Sequence, residues 1–108
     1  MNYMLVKLGK ELIMLNLNEI DWVKSEGKYL RIHKGEKSYL KRQSLNSFED
    51  YLDTDRFVRV NRSAIVNINR IKKIERNDKY NYFILLHNNQ TLSWSRSYRR
   101  KLLDIMMA

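Results

Sequence analysis

The chain has 108 residues and a mass of 13.2 kDa, enough for one domain that takes about two thirds of its unfolded surface out of water, and too little for two. A composition of 44% hydrophobic and 31% charged residues belongs to a folded protein; no Cys, no Pro, two separated His and three Gly exclude disulfides, thiolate metal sites, Cys nucleophiles and glycine-rich phosphate cradles. Twenty-one Lys and Arg against twelve Asp and Glu leave a net charge of +9, which points to a polyanionic partner.

In chain order, Met4 to Leu8 and Leu12 to Leu17 read as a hairpin turned by Gly9-Lys10. Ile20 to Ser25 and Tyr29 to His33 flank a second turn at Glu26-Gly27-Lys28, and Leu30 and Ile32 alternate with polar neighbours as in a half-buried strand. Lys34-Gly35-Glu36 turns the chain into Ser38 to Arg42. Leu45, Phe48 and Leu52 then mark one side of a helix of about two turns, with Ser44 or Asn46 as N-cap. Phe57 to Asn61 alternates again, residues 63 to 70 mix strand and turn spacing, and Lys72 to Arg76 with Tyr80 to His87 forms a long hairpin. Asn88-Asn89-Gln90 turns into Thr91 to Trp94, and Ser95 is placed to cap a last helix from Arg96 to about Met106. The expected fold is mostly β: small antiparallel sheets packed as an elongated β-sandwich-like domain, with one short internal helix and a C-terminal helix. One domain is expected over residues 1–108, without internal repeats.

Charge is unevenly spread. Residues 1–55 hold nine basic and nine acidic side chains, whereas residues 56–108 hold twelve and three. The densest tract runs from Arg56 through Arg59, Asn61, Arg62 and Ser63 to Arg70, Lys72, Lys73 and Arg76. Arg59 and Asn61 project opposite Val58 and Val60, and Arg62-Ser63 falls where the strand leaves its sheet. An Arg fork there suits two phosphate oxygens or the guanine edge, and Asn suits adenine; a solvated basic edge strand is the competing reading. The second cluster is Arg96, Arg99, Arg100 and Lys101 at the start of the last helix, with Tyr98, Leu102 and Ile105 on its docking side. Cations in a first helical turn oppose the macrodipole, an arrangement that a docked anion relieves. Lys28 and Tyr29 at a hairpin tip form a third, weaker candidate, equally suited to an ordinary exposed turn. Trp22, Trp94 and the tyrosines read as core, and His33 and His87 as surface residues.

These residues also carry a family resemblance. Phe57-Val58-Arg59-Val60-Asn61-Arg62-Ser63-Ala64-Ile65-Val66-Asn67, followed by Leu92-Ser93-Trp94-Ser95-Arg96-Ser97-Tyr98-Arg99-Arg100-Lys101-Leu102, resembles the LytTR DNA-binding domain, whose pattern is close to F-x-R-x-H-R-S-x-I-V-N and L-x-V-S-R-x-Y-x-x-x-L. The stretch from Ile20 to Tyr29 is similar to that family's first hairpin, so the likeness runs from about residue 4 to the end. It implies a β-rich domain that lays loops into successive major grooves of paired promoter repeats, commonly as the output module of a two-component response regulator. Site residues implied are Lys28 and Tyr29, then Asn61, Arg62 and Ser63, then Arg96 and Arg99. Asn61 stands where the family commonly has His.

The expected function is therefore sequence-specific binding of double-stranded DNA for transcription regulation, without catalysis, cofactor or metal. Arg59, Arg99 and Arg100 are expected on phosphates, with Arg62, Arg96 and Asn61 on base edges. Expected partners are DNA, a second copy in tandem or dimeric occupancy, and an upstream receiver domain or sensor kinase if the domain is cut from a longer chain. The alternative is a basic module docking an acidic protein, an anionic membrane or single-stranded RNA. No apolar run reaches the length of a membrane span, and the start MNYMLVKLGKELIM lacks a signal peptide's pattern, so a cytoplasmic location is expected.

Overall fold

Period-2 patterning broken by Gly-Lys turns produces a chain of short antiparallel hairpins in the computed structural model, which describes residues 2–107. Strands β1 (Tyr3–Leu8) and β2 (Glu11–Asn16) form the first hairpin, and β3 (Trp22–Glu26), β4 (Tyr29–Lys34) and β5 (Lys37–Arg42) a meander. Helix α1 (Leu45–Glu49) precedes β6 (Phe57–Asn61) and β7 (Ala64–Asn67); β8 (Ile71–Arg76), β9 (Tyr82–Leu86) and β10 (Thr91–Trp94) form a second meander before α2 (Arg99–Met106). The strands make a two-stranded sheet, a five-stranded sheet in the order β5-β4-β3-β7-β6, and a three-stranded sheet in the order β10-β9-β8. The domain measures 49 × 25 × 23 Å, elongated and mostly β as the sequence implies.

The five-stranded sheet is the middle layer. Val23, Leu30, Ile32, Phe57 and Ile65 face one core, with Val6 and Leu15 of the first hairpin and Leu45 and Phe48 of α1. Their sequence neighbours Trp22, Val58, Ala64 and Val66 face a second core, shared with Ile84, Leu86, Leu92, Trp94 and, from α2, Leu102. A strand covered on both sides has no polar phase. This is why β7, Ala-Ile-Val-Asn, is wholly buried and why residues 63–70 resist assignment by periodicity.

Several local expectations are corrected. Leu52 lies beyond α1, which is one turn rather than two, and Ser44 rather than Asn46 caps it, accepting from Ser47 N–H at 3.1 Å. The last helix starts at Arg99; a 3-10 turn occupies Arg96–Tyr98, and Ser95 makes no side-chain cap. His33 is half-buried, its ring stacked on Trp22 at 4.3 Å with a 3° interplanar angle.

A short repeat unexpected from the sequence joins the sheets. In Asn16-Leu17-Asn18-Glu19-Ile20 and again in Asn67-Ile68-Asn69-Arg70-Ile71, the leading Asn Oδ1 accepts the N–H two residues on at 3.0 Å, opening a 3-10 turn that leads to the next strand. Asn67 is fully buried, and its Nδ2 also donates to Ile20 O at 2.9 Å and Asn18 O at 3.2 Å, so the second turn is bolted to the first. Beside it the buried Asp21 accepts Gly35 N–H at 2.8 Å and sits 3.1 Å from Arg70 Nε, closing this end of the molecule.

Replacing Asn67 by Ala strands buried carbonyls and is expected to cost about 1–3 kcal/mol of unfolding free energy, read from urea titration. Burial, with Arg31 and then Lys24 adding to it against Glu26 and Asp21, holds the His33 imidazole below its ordinary value of 6.5. The folded state thus favours the neutral ring, and the unfolded chain takes up the proton first. The stability this contributes is complete above pH 6.5 and declines as pH falls below it toward the folded value. The urea midpoint should drop between neutral and mildly acid pH, and His33→Gln should flatten that drop.

Candidate nucleic-acid interface

Three turns of the basic half and its neighbour meet at the end opposite Asp21. Gly27, at φ +59°, lets the two-residue loop Gly27-Lys28 join β3 to β4, with Glu26 and Tyr29 directly paired across it. Strand β3 also pairs with β7, and Ser25 N–H donates to Ser63 O at 2.8 Å, which seats the β6–β7 turn next to that tip. Between Arg59 and Asn61 the β6–β7 register slips by one residue, and Val60 O, freed from the ladder, accepts Ser95 N–H at 2.9 Å. The bulge therefore brings the segment at Ser95 and Arg96 beside the turn at Arg62. Lys28, Tyr29, Arg62, Ser63 and Arg96 are all exposed. Lys28, Arg62 and Arg96 have no ion-pair partner among the described residues.

The other expected site residues are placed differently. Arg59 keeps only 13% of its side chain exposed: its guanidinium donates to Arg62 O at 2.6 Å, Asn61 O at 3.3 Å and Asn46 Oδ1, lies 3.5 Å from Glu49 and covers the Tyr98 ring. Asn61 spends both ends of its amide, accepting Ser63 N–H at 2.8 Å and donating to Ser93 O at 2.9 Å and Ser93 Oγ at 3.1 Å. Arg99 folds back to Trp94 O at 3.1 Å and Tyr80 O at 3.0 Å, its guanidinium 4.6 Å from the Tyr82 ring centre. Arg100 stays in solvent, 89% exposed and 4.0 Å from Asp104. Two arginines and an asparagine thus fix the loop backbones, while the free cations stand at the loop tips.

Sequence reasoning missed the flanks of this end. Gly9 of the first turn and Lys7, Lys41 and Arg42 line one depression with Tyr29; Tyr80 and Asn81 of the β8–β9 loop line another with Ser95 and Arg96. Local sequence shows these residues as separate polar strand and turn positions, and only the folded arrangement shows that they are neighbours.

The LytTR profile, described as LytTr DNA-binding domain, matches residues 10–107, and the chain belongs to that family of DNA-binding domains. An uncharacterised response regulatory protein of Vibrio cholerae is 36% identical over 72 residues, covering 63% of this chain and 28% of that protein. The transcriptional regulatory protein LytR of Staphylococcus aureus is 26% identical over 95 residues, 88% of this chain and 39% of LytR. The chain thus spans well under half the length of these curated relatives. The solved LytTr DNA-binding domain of a protein described as a methyl-accepting/DNA response regulator from Bacillus cereus has the same fold, with a TM-score of 0.86 at 24% identity, over 98% of this chain and 97% of that one. Among the described residues no helix is long and apolar enough to cross a membrane, and no three His, Asp or Glu side chains gather as a metal site.

Arg59→Ala and Arg99→Ala are each expected to lower unfolding free energy by about 1–3 kcal/mol through lost charged hydrogen bonds to loop carbonyls, whereas Arg62→Ala and Arg96→Ala stay within about 0.5 kcal/mol of the parent chain in the same denaturant titration.

Proposed function

We propose that the domain binds double-stranded DNA sequence-specifically to regulate transcription, inserting the turns at Lys28, Arg62 and Arg96 into successive major grooves. One observation carries this reading: three exposed tips with unpaired cations are tied edge to edge by the Ser25–Ser63 and Val60–Ser95 hydrogen bonds. Major grooves on one face of a duplex recur about every 34–36 Å. The longest dimension of the domain, 49 Å, exceeds that spacing.

Arg62 and Arg96 read base edges, because their forks are free and stand on backbones held from behind. Lys28, Tyr29, Ser63 and Arg100 meet phosphates and set register. Arg59, Asn61 and Arg99 are positioning residues, each bonded through its side-chain nitrogens to groups within the fold. Asn61 acts on DNA through Ser63 and Ser93, and its own amide is not a reader. The names of the curated relatives support a role as the output part of a response regulator, whose upstream receiver domain or sensor kinase supplies the signal.

Selection of duplexes from a random pool should recover a preferred sequence, and a pair of repeats spaced by about a helical turn or a multiple would mark tandem or dimeric occupancy. On that duplex Arg62→Ala and Arg96→Ala should each lose about 1–3 kcal/mol and relax preference at one base pair. Arg100→Ala should weaken specific and random duplexes alike and reduce the salt slope by about one. Tighter binding to acidic vesicles or single-stranded RNA than to any duplex rejects the proposal.

A further inference from the structure

The loop between β8 and β9 lies beyond the three turns already considered, on the far side of Arg96. Arg99 holds it there through the bond to Tyr80 O, and Tyr80 and Asn81 share a depression with Ser95 and Arg96. Its shape is set from within. Asp78 Oδ1 accepts the N–H groups of Tyr80 at 2.9 Å and Asn81 at 3.0 Å, and Oδ2 accepts Asn81 Nδ2 at 2.8 Å. The same bonds, that from Tyr80 first, hold the Asp78 carboxyl below its ordinary range, so the loop keeps its bonded form through mild acid. The one carboxylate in the loop is thereby turned to backbone donors, and what faces solvent is Lys79, with its ammonium 5.4 Å from the ring of a Tyr80 that is 60% exposed. Neither Lys79 nor the exposed Arg76 has an ion-pair partner among the described residues.

We propose that this loop is a fourth DNA contact, in which Lys79 and Tyr80 bind the sugar-phosphate backbone on the outer flank of the groove occupied by Arg96. The inference rests on the DNA-binding reading above. A preformed loop loses little conformational entropy on docking, and a cation beside a phenol hydroxyl offers a phosphate two donors of different reach. Such a contact carries no base information; it lengthens the footprint on one side and holds Arg96 in register.

The test uses the duplex recovered by random-pool selection, shortened base pair by base pair from each end, with the unsubstituted chain, Lys79→Ala, Tyr80→Ala, Arg62→Ala and Lys37→Ala. Lys37 is an exposed lysine of β5 at the opposite end of the sheet, and serves as a control for net charge. Lys79→Ala is expected to bind about three- to tenfold more weakly and to lower the salt slope by about one. Phosphate protection should recede at one end of the footprint in Lys79→Ala and Tyr80→Ala, and both should become indifferent to removal of that flank. An unchanged footprint and slope, with Arg62→Ala still losing discrimination, overturns the fourth contact and leaves the DNA reading standing. An equal fall in slope for Lys37→Ala overturns it as well, by reducing the effect to overall charge. A chain that selects no duplex removes both.

Discussion

Burial of the five-stranded sheet on both faces is the constraint on which the rest of the domain depends. With apolar side chains required above and below β3, β7 and β6, a slip of one residue would exchange the two cores, putting Trp22 where Val23 belongs and Phe57 where Val58 belongs. Register is therefore fixed tightly, and with it the positions of the turns at the strand ends. A DNA-binding surface gains from this rigidity, since loops on a pinned sheet hold their separations while still presenting long, mobile side chains.

The one deliberate break in that register sits where it has most effect. The bulge at Val60 unpairs a carbonyl that then bonds Ser95, joining the five-stranded and three-stranded sheets beside the exposed cations. Arg59 and Asn61 flank the bulge and hold the turn at Arg62 and Ser63 from both sides. Basic residues in this domain thus divide by environment rather than by type. Those with carbonyls, carboxylates and aromatic rings around them brace loop backbones; those with water around them remain available for an anion.

The two ends of the molecule contrast in the same terms. At one, Asp21 accepts the Gly35 N–H and faces Arg70, beside an Asn67 amide bonded to Ile20 O, in a compact polar cluster. At the other, Lys28, Arg62 and Arg96 at the loop tips make no ion pair among the described residues, and that imbalance localises a positive field that the net charge of +9 only implies in aggregate.

Hairpins, their glycine turns, the basic bias of residues 56–108 and the two motifs around Arg62 and Arg96 were determined by the sequence alone, because period-2 alternation, positive φ at Gly and charge density are local properties of the chain. The same local logic fails for β7, whose double burial erases alternation. It fails also for the last helix, where the approach of Val60 to Ser95 accompanies a 3-10 turn and a later helix start. For His33, only the strand opposite supplies the Trp22 ring. The roles of Arg59, Asn61 and Arg99 were decided only by tertiary structure. Whether a guanidinium or an amide is free or spent depends on partners as far as 13 to 32 positions away, such as Asn46 for Arg59 or Ser93 for Asn61, and strand pairing brings those partners into reach.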